Sequence, residues 1–232
     1  MIACSMERDL YMLDSDSFVS DSGAAPYIPG PLPELGTHCP LLPSAVTFDA
    51  IANALGISAG TAGVLDDVRF LTASILQSSG DALGTTRIRN TASWLHDRLA
   101  VLQLAGSVDE EGRVQAAVCR AASVYSWAIQ SGRRLSAFDD ETVRGGLLGA
   151  VQSVRPARWK RMPGIYLWVV LVACSGAPGD MIGRFWRRKV AVATSAIAFE
   201  NFPLAISCVR SFLRVQSWLA RGGLAAEEKE AA

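Results

Sequence analysis

The sequence predicts an all-α protein, a multi-helix bundle of about eight helices with a disordered N-terminal segment. Three observations carry this. From about residue 46 onward, apolar residues recur three and four positions apart, and no stretch alternates with a period of two in β-branched residues. The six tryptophans, at 94, 127, 159, 168, 186 and 218, spread close to one per predicted helix. Large anchors of a bundle are distributed in this way, whereas an aromatic cage or a base-stacking platform would concentrate them. Six of the ten prolines fall between Pro26 and Pro43, outside the periodic region.

Residues 1–45 are expected to be a disordered acidic and proline-rich leader. Prolines at that density supply no donor to a helix or a sheet ladder, so they read as an extended linker. Before them, residues 9–22 alternate Asp9, Asp14, Asp16 and Asp21 with Leu10, Tyr11, Met12, Leu13 and Phe18. That is the composition of a solvated leader or of an acidic-hydrophobic activation-type segment, whose acids keep its aromatic residues exposed until a partner takes them. An all-helical domain is expected over 46–222, followed by a disordered tail, 223–232.

Within the domain, Thr47 reads as the N-cap of a first helix at 47–54, with Gly56 as its stop. A second helix covers 62–79, with Leu65, Val68, Leu71, Thr72, Ile75 and Leu76 on one face. A third covers 87–105, through Ile88, Trp94, Leu95, Leu99 and Leu102. In a fourth, 110–131, Val114, Val118, Ala121, Ala122, Tyr125 and Ile129 form the stripe. Asp139 is expected to cap a fifth, 140–153. Pro163 and Pro178 fit the first turns of a sixth, 163–175, and a seventh, about 178–199. Pro203, after Asn201, opens an eighth that is expected to end at Gly222–Gly223. The longest uncharged stretch, Met162 to Gly179, has an apolar centre of ten residues, Ile165 to Cys174. A span needs about 20, so this reads as a buried core helix and no membrane partner is expected.

Half of the residues are hydrophobic and 19% are charged, which excludes wholesale disorder. The 22 bases and 22 acids sum to zero, and taken alone that speaks against a strongly basic nucleic-acid binder. The balance is uneven. Residues 1–68 hold nine acids and one base (−8), residues 69–221 ten acids and twenty bases (+10), and residues 222–232 three acids and one base (−2). Nineteen of the 22 bases are arginine, which suits bidentate pairing with carboxylates. Five cysteines, at 4, 39, 119, 174 and 208, show neither a disulfide framework nor a zinc spacing. They read as small core hydrophobes of a protein in a reducing compartment, since the opening MIACSMERD has acids where a signal peptide needs a basic and then an apolar run.

No catalytic residue, cofactor-binding residue or metal ligand is expected. The two histidines are His38, in the leader, and His96, beside Asp97 on a helix, where neighbouring positions point apart. GISAGTAG, 56–63, lacks the spacing of a phosphate loop and reads as a helix boundary. Asp139, Asp140 and Glu141 suggest the aspartate-rich motif of all-α terpene synthases, but they are consecutive and position 143 is Val where that motif needs an acid. Acids at a helix start also complement its dipole. Arg155, Arg158, Lys160, Arg161, Arg184, Arg187, Arg188 and Lys189 form a basic run against Asp180 alone, read as a solvated helix face or as a weak import or phosphate-contact pattern at 187–189. Docking of the acidic leader on the 155–189 run is a further expectation.

Four segments carry a resemblance. VLDDVRFLTASIL (64–76), VCRAASVYSWAIQSGRRLSAF (118–138), PGIYLWVVLVACSGAP (163–178) and FENFPLAISCVRSFLRVQSWL (199–219) resemble, in order and spacing over about two thirds of the chain, the C-terminal regulatory domain of fungal zinc-cluster transcription factors. The resemblance implies an all-helical regulatory domain in the nucleus, otherwise in the cytoplasm. Its expected partners are proteins, either transcription machinery or a second copy in a homodimer. Members of that family usually begin with a six-cysteine zinc cluster. Here five cysteines stand 35, 80, 55 and 34 residues apart, so direct DNA binding is not implied. A regulator without its own DNA reader, a truncated gene model and a diverged relative all fit. An all-α enzyme of terpene-synthase type and a helical scaffold with no transcriptional role are the alternatives.

Overall fold

The computed structural model describes residues 38–78, 82–104, 109–138, 140–176 and 181–230. The acidic segment 9–22, most of the proline-rich stretch, Asp139, Pro178 and Asp180 lie outside the described residues. Eight α-helices follow one another: α1 (Phe48–Leu55), α2 (Ala59–Gln77), α3 (Ala82–Leu104), α4 (Glu110–Ser131), α5 (Glu141–Ser153), α6 (Pro156–Lys160), α7 (Pro163–Ser175) and α8 (Met181–Glu230). A single 3-10 turn, Leu135–Ala137, joins α4 to α5, and there is no strand among the described residues.

Local chemistry sets most boundaries. Thr47 caps α1 by accepting from the Ala50 amide at 3.2 Å, and Gly56 ends it in the left-handed region at φ 64°. Ser58 caps α2 from Thr61 at 3.1 Å, so GISAGTAG is a helix boundary, as expected. Asp109 caps α4 from Gly112 at 2.8 Å. The fifth helix is capped by Asp140, one residue later than Asp139: its Oδ1 accepts from Val143 at 3.1 Å. Helices α2 and α3 begin earlier than the apolar pattern suggests, because their first turns carry small or polar residues and an exposed Leu83, which leave no large apolar stripe to read. The short α6 has too few residues for a periodic signal, and was not anticipated.

α4 lies at the centre, touching α2, α3, α5 and α7; α8 packs along α7 and reaches α2. All six residues of the α4 stripe are buried, and so are Ile165, Leu167, Trp168, Val169, Val170, Leu171 and Val172 of α7. α7 is therefore the core helix that its short apolar centre implied. Trp168 is fully buried, edge-on to Tyr125 with ring centroids 6.2 Å apart. Burying side chains of this size contributes about 1.5–3 kcal/mol each. The tryptophans are not uniformly anchors: Trp94 is 55% exposed, on the side of α3 turned away from Leu95 and Leu99.

The end of the leader departs from the expected disorder. Cys39 and Leu41 are buried, with a turn between Leu42 N and Cys39 O at 3.2 Å. The His38 carbonyl lies so close to Gly164 of α7 that a Cβ there would stand 2.5 Å from it, so only glycine admits the strap. Cys39 lies beside Cys208 of α8. Arg69 fastens the segment further along, donating to the Val46 carbonyl at 2.8 Å with its guanidinium 4.1 Å from the Phe48 ring.

The last two predicted helices form one run that breaks where expected. Asn201 leaves the helical region at φ −152°, ψ 88°, and its Oδ1 accepts from Leu204 at 3.0 Å. Pro203 then sits in the first turn of the second segment, where its missing N–H is harmless. That segment does not stop at Gly222–Gly223; it continues to Glu230.

Candidate functional site

The outward face of α8 is the surface that the packing leaves over. On its inner side Ile197, Leu204, Ala205, Cys208, Phe212, Val215 and Leu219 are buried. On its outer side Val192 is 58% exposed, Phe199 91%, Phe202 63% and Ile206 40%. These four stand at helical spacing on both sides of the Asn201 break. Single exposed apolar residues are ordinary, but four on one face, two of them phenylalanine, mark a contact surface.

Arginines bound this stripe at both ends. Arg184 and Arg188 are exposed before it, and Arg210, Arg214 and Arg221 beyond it. From Met181 to Arg221 the chain has seven bases and one acid, Glu200 in the middle. α8 also contains an 18-residue stretch of mean hydropathy 1.4, long and apolar enough to cross a membrane by length and composition, with 28% of it buried against the fold. The sequence signal for this face was present. Residues 190–206 are apolar on more than one side of the helix, a pattern that exceeds what one core contact needs.

The basic run predicted over 155–189 is not one surface. Arg158 donates to the Gly56 carbonyl and Arg161 to the Ala54 carbonyl at 3.5 Å, so both serve the C-terminal end of α1. Arg155 faces Glu110, its Nε 3.6 Å from Oε2 and its amide 2.9 Å from Oε1. Lys160 is exposed at the end of α6, whereas Arg184, Arg187, Arg188 and Lys189 belong to α8, and the 13 residues of α7 rise about 20 Å between the two groups. Lys189 lies 5.1 Å from the centre of the Phe185 ring.

The other predicted features have structural work. Asp140 is committed to its cap, and among the described residues no group of three or more His, Cys, Asp or Glu is placed to hold a metal. His96 is half-buried with Nδ1 3.2 Å from Ser126 Oγ. Cys39, Cys119 and Cys208 are buried. Burial pushes the Cys119 thiol up to about 11, and contact with Cys39 together with burial raises that of Cys208, which favours the thiol over the nucleophilic thiolate at both. An open cleft of about 300 Å³ between the end of α2 and the start of α3 offers one charged side chain, Arg87.

Comparison with protein-family models, with curated proteins and with solved structures finds no match to this chain in any of the three.

Proposed function

We propose that this chain is a helical interaction domain of the regulatory type its four segments resemble, acting in the nucleus through protein contacts and without a DNA reader of its own. The exposed apolar face of α8 carries this reading. A side chain such as Phe199, 91% exposed where Trp168, Trp186 and Phe212 are buried, adds nothing to the core and has its use in a contact. Three of the four resembling segments coincide with α2, α4 and α7, and the fourth with the part of α8 that starts at Phe199. The acidic leader supplies the activation-type composition.

The test is a reporter assay. Fused to a heterologous DNA-binding domain in a fungal host, residues 1–45 or the full chain should raise reporter output above that of the bare DNA-binding domain. No rise from either would overturn the transcriptional reading and leave a helical scaffold.

A further inference from the structure

We infer that the outward face of α8 is the docking site of this chain's own acidic-hydrophobic segment, residues 9–22. This deepens the reading of α8 as a contact surface and rests on it. The face is apolar in its middle, at Val192, Phe199, Phe202 and Ile206, and basic at both ends. The segment matches it at both ends, with Asp9 before Leu10 to Leu13 and Asp21 after Phe18 and Val19; Asp14 and Asp16 lie between the two apolar groups and face solvent past Glu200. Arg188 and Arg210 are 22 residues apart, at most about 33 Å along α8, which breaks between them at Asn201. Asp9 and Asp21 are 12 residues apart, about 40 Å when extended, so an extended segment lays one aspartate near each arginine pair with its apolar residues between.

The point at which the described chain begins supports the same occupant. His38 sits on Gly164 and Cys39 against Cys208, on the inner side of α8 at the same level along the helix as Ile206 on its outer side. The 16 residues from Ser22 to His38 reach about 50 Å in the extended form that their prolines favour, more than the length of the face. A second copy of the face is a poor occupant. Two such faces bring Arg188 and Arg210 against arginine in either orientation, and like charges across an interface cost affinity. The 155–161 arginines, the other half of the run first considered, are held by α1 and Glu110.

The experiment uses the full chain with Phe202 exchanged for photoreactive benzoylphenylalanine, irradiated at low concentration as a mixture of light and heavy-isotope protein. Crosslinks from position 202 to residues 9–22 within single molecules are expected. Arg188→Glu with Arg210→Glu should lower their yield at least fivefold, and adding Asp9→Lys with Asp21→Lys should restore it. Crosslinks that miss residues 9–22 or that join light to heavy chains at α8 overturn the inference, and so does a yield indifferent to the charge reversal. The reporter assay on residues 1–45 contains no α8, so its outcome separates failure of the docking from failure of the regulatory reading.

Discussion

The Tyr125 hydroxyl and the Thr72 Oγ1 lie 2.8 Å apart in a part of the core where both side chains are buried. Thr72 gives its one proton to the Val68 carbonyl at 2.9 Å, so Tyr125 is the donor of the pair. Burial pushes the phenol well above its ordinary value, and the neutral donor is the state the fold keeps. The two partners are therefore unequal. Tyr125→Phe removes the donor and leaves Thr72 bonded to Val68, at a cost of about 0.5–1.5 kcal/mol. Thr72→Val strands a buried hydroxyl and should cost about 1–3 kcal/mol. Denaturant unfolding of the two variants checks the order, and a larger loss from Tyr125→Phe would contradict this assignment of the proton.

Trp168 offers a second asymmetry. It is fully buried, but its Nε1 has no hydrogen-bond partner. Trp168→Ala should cost about 3–5 kcal/mol, through lost burial and the cavity left between α7 and α4. Trp168→Phe keeps much of the volume and removes the stranded donor, so it should cost well under half as much. A loss below about 1 kcal/mol from the alanine variant would show that α7 is not central.

Much of this core was legible because it follows from spacing. The stripe from Val114 to Ile129 is buried at every named position, and Thr47, Gly56 and Pro203 mark boundaries by chemistry confined to a few residues. The face of α8 was less legible. Periodicity shows that residues 190–206 are apolar but not which side α7 takes, and only packing leaves Phe199 outside. Trp94 was misplaced for the same reason: it neighbours Leu95 in sequence and points elsewhere. The split of the basic run depends on α7 separating Arg161 from Arg184, a long-range relation that no local pattern contains.

Gly56 tests the junction between α1 and α6. Its φ of 64° suits glycine, and an added Cβ would come within 2.8 Å of Arg158 Nη2. Gly56→Ala should cost about 1–2 kcal/mol from the left-handed backbone alone. It should also loosen Arg158 from the Gly56 carbonyl. If so, Arg158→Ala would cost less in the Gly56→Ala background than in the wild type, which a double-mutant cycle by thermal unfolding reads directly. Additive losses would show that the arginine does not depend on the turn.

The outward face of α8 predicts a change with almost no structural penalty. Phe199→Ser with Phe202→Ser removes exposed side chains and leaves Ile197, Leu204 and Asn201 in place, so stability should stay within about 0.5 kcal/mol per site. Helical content by circular dichroism should be unchanged. Contacts made by the face, read as crosslinking to residues 9–22 or as partner binding in solution, should fall. A large loss of stability would mean that the face packs against the helices of the domain itself.

His38 makes the strap sensitive to acid. Burial, and secondarily the Arg69 guanidinium, hold its imidazole below the ordinary value of 6.5. The groups around it are the Phe48 ring, with centroids 6.4 Å apart, and Arg69, itself 3.4 Å from Asp66. The native protein keeps His38 neutral while the unfolded chain takes up a proton below 6.5, so the unfolded state binds more protons in that window. Stability is therefore complete above 6.5 and declines as the pH falls toward the lowered native value. Asp67 acts in the opposite sense at lower pH: burial raises its carboxyl despite the neighbouring Arg98, so the native state takes up its proton first and gains as the pH falls through the carboxylate range. The two effects separate in denaturant unfolding measured from pH 7 downward. His38→Gln should flatten the upper part of the profile and leave the lower part unchanged. An upper slope that survives the substitution would assign the acid sensitivity to a group other than His38.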